Sequence, residues 1–104
     1  MNNFFTNIPN QLDKEVMENI FTSQNIRIER ILSRGQTSPE QGWYDQDENE
    51  WVMVLEGAGI LLFETGKQIT MEKGDYLHIQ AHEKHKVSWT TPDDTTIWLA
   101  VFYW

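Results

Sequence analysis

A chain of 104 residues is the size of one ordinary domain, and with no cysteine it has no disulfide framework, thiolate metal site or cysteine nucleophile. Its formal charge of -8, broken by no lysine or arginine stripe, opposes phosphate backbones and excludes the nucleic-acid-binding classes. No apolar run reaches the roughly 18–20 residues of a membrane span, and the N-terminus has no basic region ahead of an apolar stretch, so no membrane partner is expected and the expected location is the cytoplasm.

In chain order, residues 10–22 read as a helix. Leu12, Val16, Met17 and Ile20 fall on one stripe, and Pro9 and Asn10 precede it as start signals. This predicts a short helical arm over residues 1–23. The pattern then changes: Ile26 and Ile28 alternate with Arg27 and Glu29, the period of a strand. Gly35, Pro39 and Gly42 mark residues 33–42 as a loop. The rest is a series of short apolar runs, at 51–55, 60–64, 68–72, 76–79, 86–90 and 96–104, and all six glycines lie between runs. Strands at hairpin spacing with no crossover helix predict an all-β sandwich or barrel over residues 24–104.

Parity aims the side chains. Glu50, Val52 and Val54 share one face of their strand, and His85, Val87 and Trp89 share one face of theirs. A carboxylate and an imidazole in line with core residues point inward, whereas His78, in step with Tyr76, points outward. Trp51, Met53 and Leu55, and both faces of Ile97 to Trp104, are apolar as well. Strands apolar on both faces need cover on both. The expected cover is a second copy of the chain, with the aromatic C-terminal strand at a sheet edge.

Six residues separate Glu50 from Gly57, and Gly74 opens G-D-Y-L-H-I-Q-A-H-E-K-H, which ends on His85. In this the stretch Gly42 to Trp89 resembles the two motifs of the cupin superfamily, small jelly-roll (double-stranded β-helix) barrels. Gly42, Glu50 and Gly57 match the first motif, and Gly74 and His85 the second. The tract Trp43 to Trp51, W-Y-D-Q-D-E-N-E-W, is similar to that of small single-domain cupins. The motif's paired histidines are replaced by Trp43 and Asp45, or by Tyr44 and Gln46 on the other count. Gln80 and His82 stand at the second motif's proline and glycine.

The resemblance implies a divalent ion in the barrel, held by Glu50 and His85. His82 and Asp45 (or Gln46) would complete a set suited to iron, manganese, nickel or zinc. A second expectation is a metal-free pocket for a small polar metabolite, with Trp43, Tyr44, Trp51 and Trp89 as walls and Glu50, Gln46 and His85 as anchors. There the His–carboxylate pair would permit acid–base chemistry such as isomerisation or epimerisation. A third is a regulatory module that works through its dimer face. Metal analysis, ligand screening and dimer-disrupting variants separate the three.

Overall fold

The computed structural model describes residues 1–104 and contains eight strands and no helix. They are β1 (Val16–Thr22), β2 (Ile26–Ser33), β3 (Asn49–Glu56), β4 (Ala58–Phe63), β5 (Gln68–Glu72), β6 (Tyr76–Ile79), β7 (His85–Thr90) and β8 (Thr96–Tyr103). They form a five-stranded sheet ordered β1-β2-β8-β3-β6 and a three-stranded sheet ordered β5-β4-β7, with every pairing antiparallel. Val52, Val54, Trp98, Ala100 and Phe102 from the larger sheet pack with Leu61, Phe63 and Met71 from the smaller as one buried core. The jelly-roll expectation holds.

The expected helix does not form. Residues 16–22 are β1, paired with β2 at the edge of the large sheet. The register slips between Asn19 and Phe21, leaving Ile20 as an extra residue. That bulge breaks the period-two alternation of an edge strand, so its apolar residues mimic helical spacing. The preceding segment is tied down by Arg30, which is 5% exposed. The Arg30 guanidinium donates to the carbonyls of Phe4 (3.0 Å), Thr6 (2.7 Å) and Asn7 (3.3 Å) and pairs with Glu18.

Nor is the C-terminal strand an edge. β8 lies between β2 and β3 and bonds to both along its length. A central strand is hydrogen-bonded along both edges and so presents no open ladder. Trp98, Ala100 and Phe102 face the core, while Leu32 and Ile97, paired on the opposite face, are also buried.

The loop from Arg34 to Glu48 extends the small sheet. Ser38 bridges to Val87, and Tyr44 bridges to His85 through N–H···O bonds of 2.8 and 3.2 Å. Gly57, at φ +86°, turns β3 into β4 where a Cβ would come within 2.7 Å of the Thr96 backbone. Only glycine fits there. No helix is present that is long and apolar enough to cross a membrane.

Candidate functional site

Between the sheets lies a cavity of about 220 Å³. Met17, Ile31, Val52, Leu61, Ile79, Val87, Trp98 and Phe102 form its apolar wall. Its polar lining is Glu15, Arg27, Glu29, Ser38, Tyr44, Gln46, Glu48, Glu50 and His85. The volume suits a compact molecule, below the usual 300–1,000 Å³ (roughly) of drug-sized sites.

Glu50 and His85 face this cavity and are 7% and 3% exposed. His85 Nδ1 lies 2.8 Å from the Glu83 carbonyl oxygen. A carbonyl only accepts, so Nδ1 carries the hydrogen. In the neutral ring Nε2 is then a lone pair, and it stands 3.5 Å from Glu50 Oε1, an ion-pair distance longer than a hydrogen bond. Gln46 donates to the same Glu50 oxygen at 3.2 Å. Burial alone would lower the His85 pKa, but Glu50 and the Glu83 carbonyl outweigh it and raise it above the ordinary histidine value. The Tyr44 ring packs 5.6 Å from the His85 ring. Burial raises the Tyr44 pKa; the Ser38 hydroxyl lowers it, and the Glu15 and Glu50 carboxylates raise it further.

The four residues expected as metal ligands are divided. Glu50 and His85 are inside, whereas His82 and Asp45 form an exposed pair at 2.7 Å outside the cavity wall. His82 Nε2 also meets Asp47 at 3.0 Å, so both ring nitrogens face carboxylates. Asp45 is the main cause of a raised His82 pKa. His82 sits at φ +63°, and its N–H donates to the Gln46 carbonyl at 2.9 Å, joining the two loops. No three His, Asp or Glu side chains converge as ion ligands. Around Glu50 and His85 the remaining donors are the neutral Gln46 amide and Tyr44 phenol, a set that does not fit a resident divalent ion.

Of the expected walls only Tyr44 lines the cavity, and the expected anchor Gln46 lines it too. Trp43 lies under the Lys86 ammonium, 4.4 Å from the ring centre, and is outside the lining. Trp89 is 41% exposed. The register of β7 against β4 slips at Ser88, so Val87 faces in and Trp89, two residues on, faces out. Trp51 packs on the outside against Tyr76, and His78 is also exposed, bonded to the Tyr103 hydroxyl.

Glu15, Arg27, Glu29, Ser38 and Glu48 were not legible as lining. Arg27 and Glu29 alternate with isoleucines, which suggests a solvated face, yet the charged side of β2 is the one turned inward. Glu15 enters from the segment before β1 and accepts from the buried Ser33 hydroxyl at 3.2 Å. Burial raises its pKa against the Ser38 and Ser33 hydroxyls, which lower it.

Two antiparallel sheets closed on an apolar cavity with a few convergent polar groups define a small jelly-roll barrel. The Cupin domain family matches residues 30–102, and the chain belongs to it. A protein from Ralstonia eutropha JMP134, provisionally named a mannose-6-phosphate isomerase, superposes with a TM-score of 0.93 at 38% identity, covering 99% of this chain and 96% of that one. An RmlC-like cupin protein from Desulfovibrio desulfuricans follows at TM-score 0.75 and 20% identity (98% and 94% covered). The polyketide cyclase RemF from Streptomyces resistomycificus superposes at 0.73 and 16% (88% and 66%). At such identities these last two share the fold alone. No curated protein matches the sequence.

Proposed function

We propose that the cavity binds a small polar organic molecule and that Glu50 and His85 exchange a proton with it. The observation that carries this is the His85 geometry: Nδ1–H is committed to the Glu83 carbonyl, which leaves Nε2 facing the cavity beside a buried carboxylate. Such an imidazole takes a proton from a hydroxyl-bearing carbon next to a carbonyl, the carboxylate stabilises the imidazolium, the hydroxyl proton passes to the former carbonyl oxygen, and the first proton returns to the former carbonyl carbon. That is an isomerisation: the proton changes place and no oxidant or reductant is consumed. Gln46 and Tyr44 are placed to hold the substrate oxygen. The provisional isomerase name of the Ralstonia protein supports the same class of reaction. The donor set favours this metal-free reading over a bound iron, manganese, nickel or zinc ion.

The test is hydrogen–deuterium exchange in ²H₂O, followed by proton NMR, on a panel of small α-hydroxy ketones and aldoses. Wild type should exchange the α-proton of at least one compound, and His85→Gln and Glu50→Gln should each reduce the rate about 100-fold or more. Wild-type rates no higher than those of the variants would sink the proton-transfer role.

A second copy of the chain is the proposed cover for the outer face of the large sheet. Trp51 against Tyr76 and His78 against Tyr103 form adjacent aromatic pairs there, and Tyr76 is 66% exposed. Light scattering should give a dimer for wild type and a monomer for Tyr76→Glu; a monomeric wild type refutes it.

A further inference from the structure

We infer that the cavity is built to exclude anions, so that its ligand is an uncharged hydroxyl- or carbonyl-bearing molecule with neither phosphate nor carboxylate. This rests on the cavity being a ligand site. Arg27 is the single arginine or lysine on the wall. A cation in such a place ordinarily reads as an anchor for a phosphate. Here it is already held from three directions. Its Nε donates to Glu29 at 2.9 Å, its Nη1 donates to Glu48 at 2.9 Å, and its guanidinium carbon lies 4.3 Å from the centre of the Phe102 ring. Two carboxylates against one guanidinium leave this part of the wall negative rather than positive.

The opposite lining adds no free positive charge. Glu15 and Glu50 bring the number of carboxyl groups on the cavity to four. Glu50 stands beside His85 Nε2, so its carboxylate offsets the imidazolium when the ring is protonated, and when the ring is neutral an incoming oxyanion meets an acceptor on each. A ligand hydroxyl, in contrast, has a hydrogen to give to Nε2 or to Glu50, and a ligand carbonyl can accept from Gln46 or Tyr44. Apolar residues supply the rest of the surface, which suits a compact carbon skeleton. An anion placed among these groups would be repelled in a medium of low dielectric, with no counter-ion to offset its desolvation. The chain's charge of -8 opposes its approach as well.

The role of Glu29 and Glu48 is therefore to neutralise Arg27. Freed of them, the same guanidinium would become a phosphate or carboxylate receptor on the wall. Selectivity against anions thus rests on two residues that need not touch the ligand.

The experiment uses cyclohexanone, cyclohexanecarboxylate and cyclohexyl phosphate, which share a ring and differ in charge. Binding is followed by saturation-transfer NMR and by calorimetry on the wild type and on the double variant Glu29→Gln/Glu48→Gln. Wild type should bind cyclohexanone and hold both anions at least about tenfold more weakly. The double variant, shown to be folded by circular dichroism, should gain cyclohexyl phosphate by about tenfold or more. An anion bound by wild type as tightly as the ketone overturns the inference and leaves the cavity reading standing. Failure of the folded double variant to gain the phosphate overturns the part given to Arg27. If none of the three probes binds wild type, the cavity reading fails, and this inference with it.

Discussion

Trp98 and Gly59 touch across the barrel so closely that a Cβ on residue 59 would come within 2.5 Å of the indole ring and 3.3 Å of the Trp89 carbonyl. Trp98 is also part of the cavity wall, so the missing side chain on β4 fixes where that wall stands. Gly59→Ala should therefore do two things. It should destabilise the fold by about 1–3 kcal/mol, the usual cost of overpacking, as measured by denaturant unfolding. It should also drive the indole toward the cavity and weaken cyclohexanone binding. An alanine variant with wild-type stability and affinity would mean that Trp98 has room elsewhere.

Stability should fall as pH rises through the titration of His85. Its folded pKa is raised above the ordinary value of 6.5 once Glu50 and the Glu83 carbonyl have outweighed burial. The contribution is thus fully present below about pH 6.5 and lost as pH climbs through the raised folded value. One proton limits the slope to about 1.4 kcal/mol per pH unit. Urea unfolding between pH 5.5 and 9 should show the decline in wild type. Glu50→Gln, which removes the carboxylate and keeps the shape, should flatten it. A Glu50→Gln profile parallel to wild type would refute the pairing.

The loop contact at His82 makes a separate, local prediction. Both of its ring nitrogens face carboxylates, Asp45 at 2.7 Å and Asp47 at 3.0 Å, and its pKa is raised. A ¹H–¹⁵N titration should place His82 above free histidine, and Asp45→Asn should bring it down more than Asp47→Asn, because Asp45 is the larger cause. Equal effects from the two variants would contradict the geometry.

Replacing Arg30 should release the segment before β1. Methionine fills much of the arginine stem but donates nothing to the carbonyls of Phe4, Thr6 and Asn7 or to Glu18. Arg30→Met is expected to cost about 1–3 kcal/mol, since partly exposed acceptors lose a charged donor. It should also admit early proteolytic cleavage within residues 1–15. Unchanged protease resistance would show that the segment holds without its tether.

The strands were legible because their signals are local. Alternation and glycine-marked turns placed every strand from β3 onward within two residues of its observed limits. Parity put Glu50 and His85 inside, since both lie in line with core valines and no bulge intervenes. Parity failed where a bulge did intervene, at Ser88 before Trp89, and the bulge at Ile20 let the edge strand β1 pass for a helix. A bulge is set by how two strands meet and leaves little trace in either one. The cavity-facing residues of β2 were missed for another reason. Charge alternating with isoleucine looks like solvent, and only the cavity shows why Arg27 and Glu29 turn inward. The positions of Asp45 and His82 follow from loops that pair across the chain, which spacing cannot reveal.

The central place of β8 has a consequence for how the chain reaches its native state. Residues 96–103 are hydrogen-bonded to β2 on one side and β3 on the other, and nothing else joins those two strands. Until they arrive, β1-β2 and β3-β6 are separate pieces with open edges. Synthesis proceeds from the N-terminus, so the first seven strands emerge before the one that unites them. Closure of the large sheet is therefore a late, non-local event of the kind that takes milliseconds to seconds. In that interval Val52 and Val54 are exposed on an unpaired edge, and a nascent or truncated chain is vulnerable to aggregation.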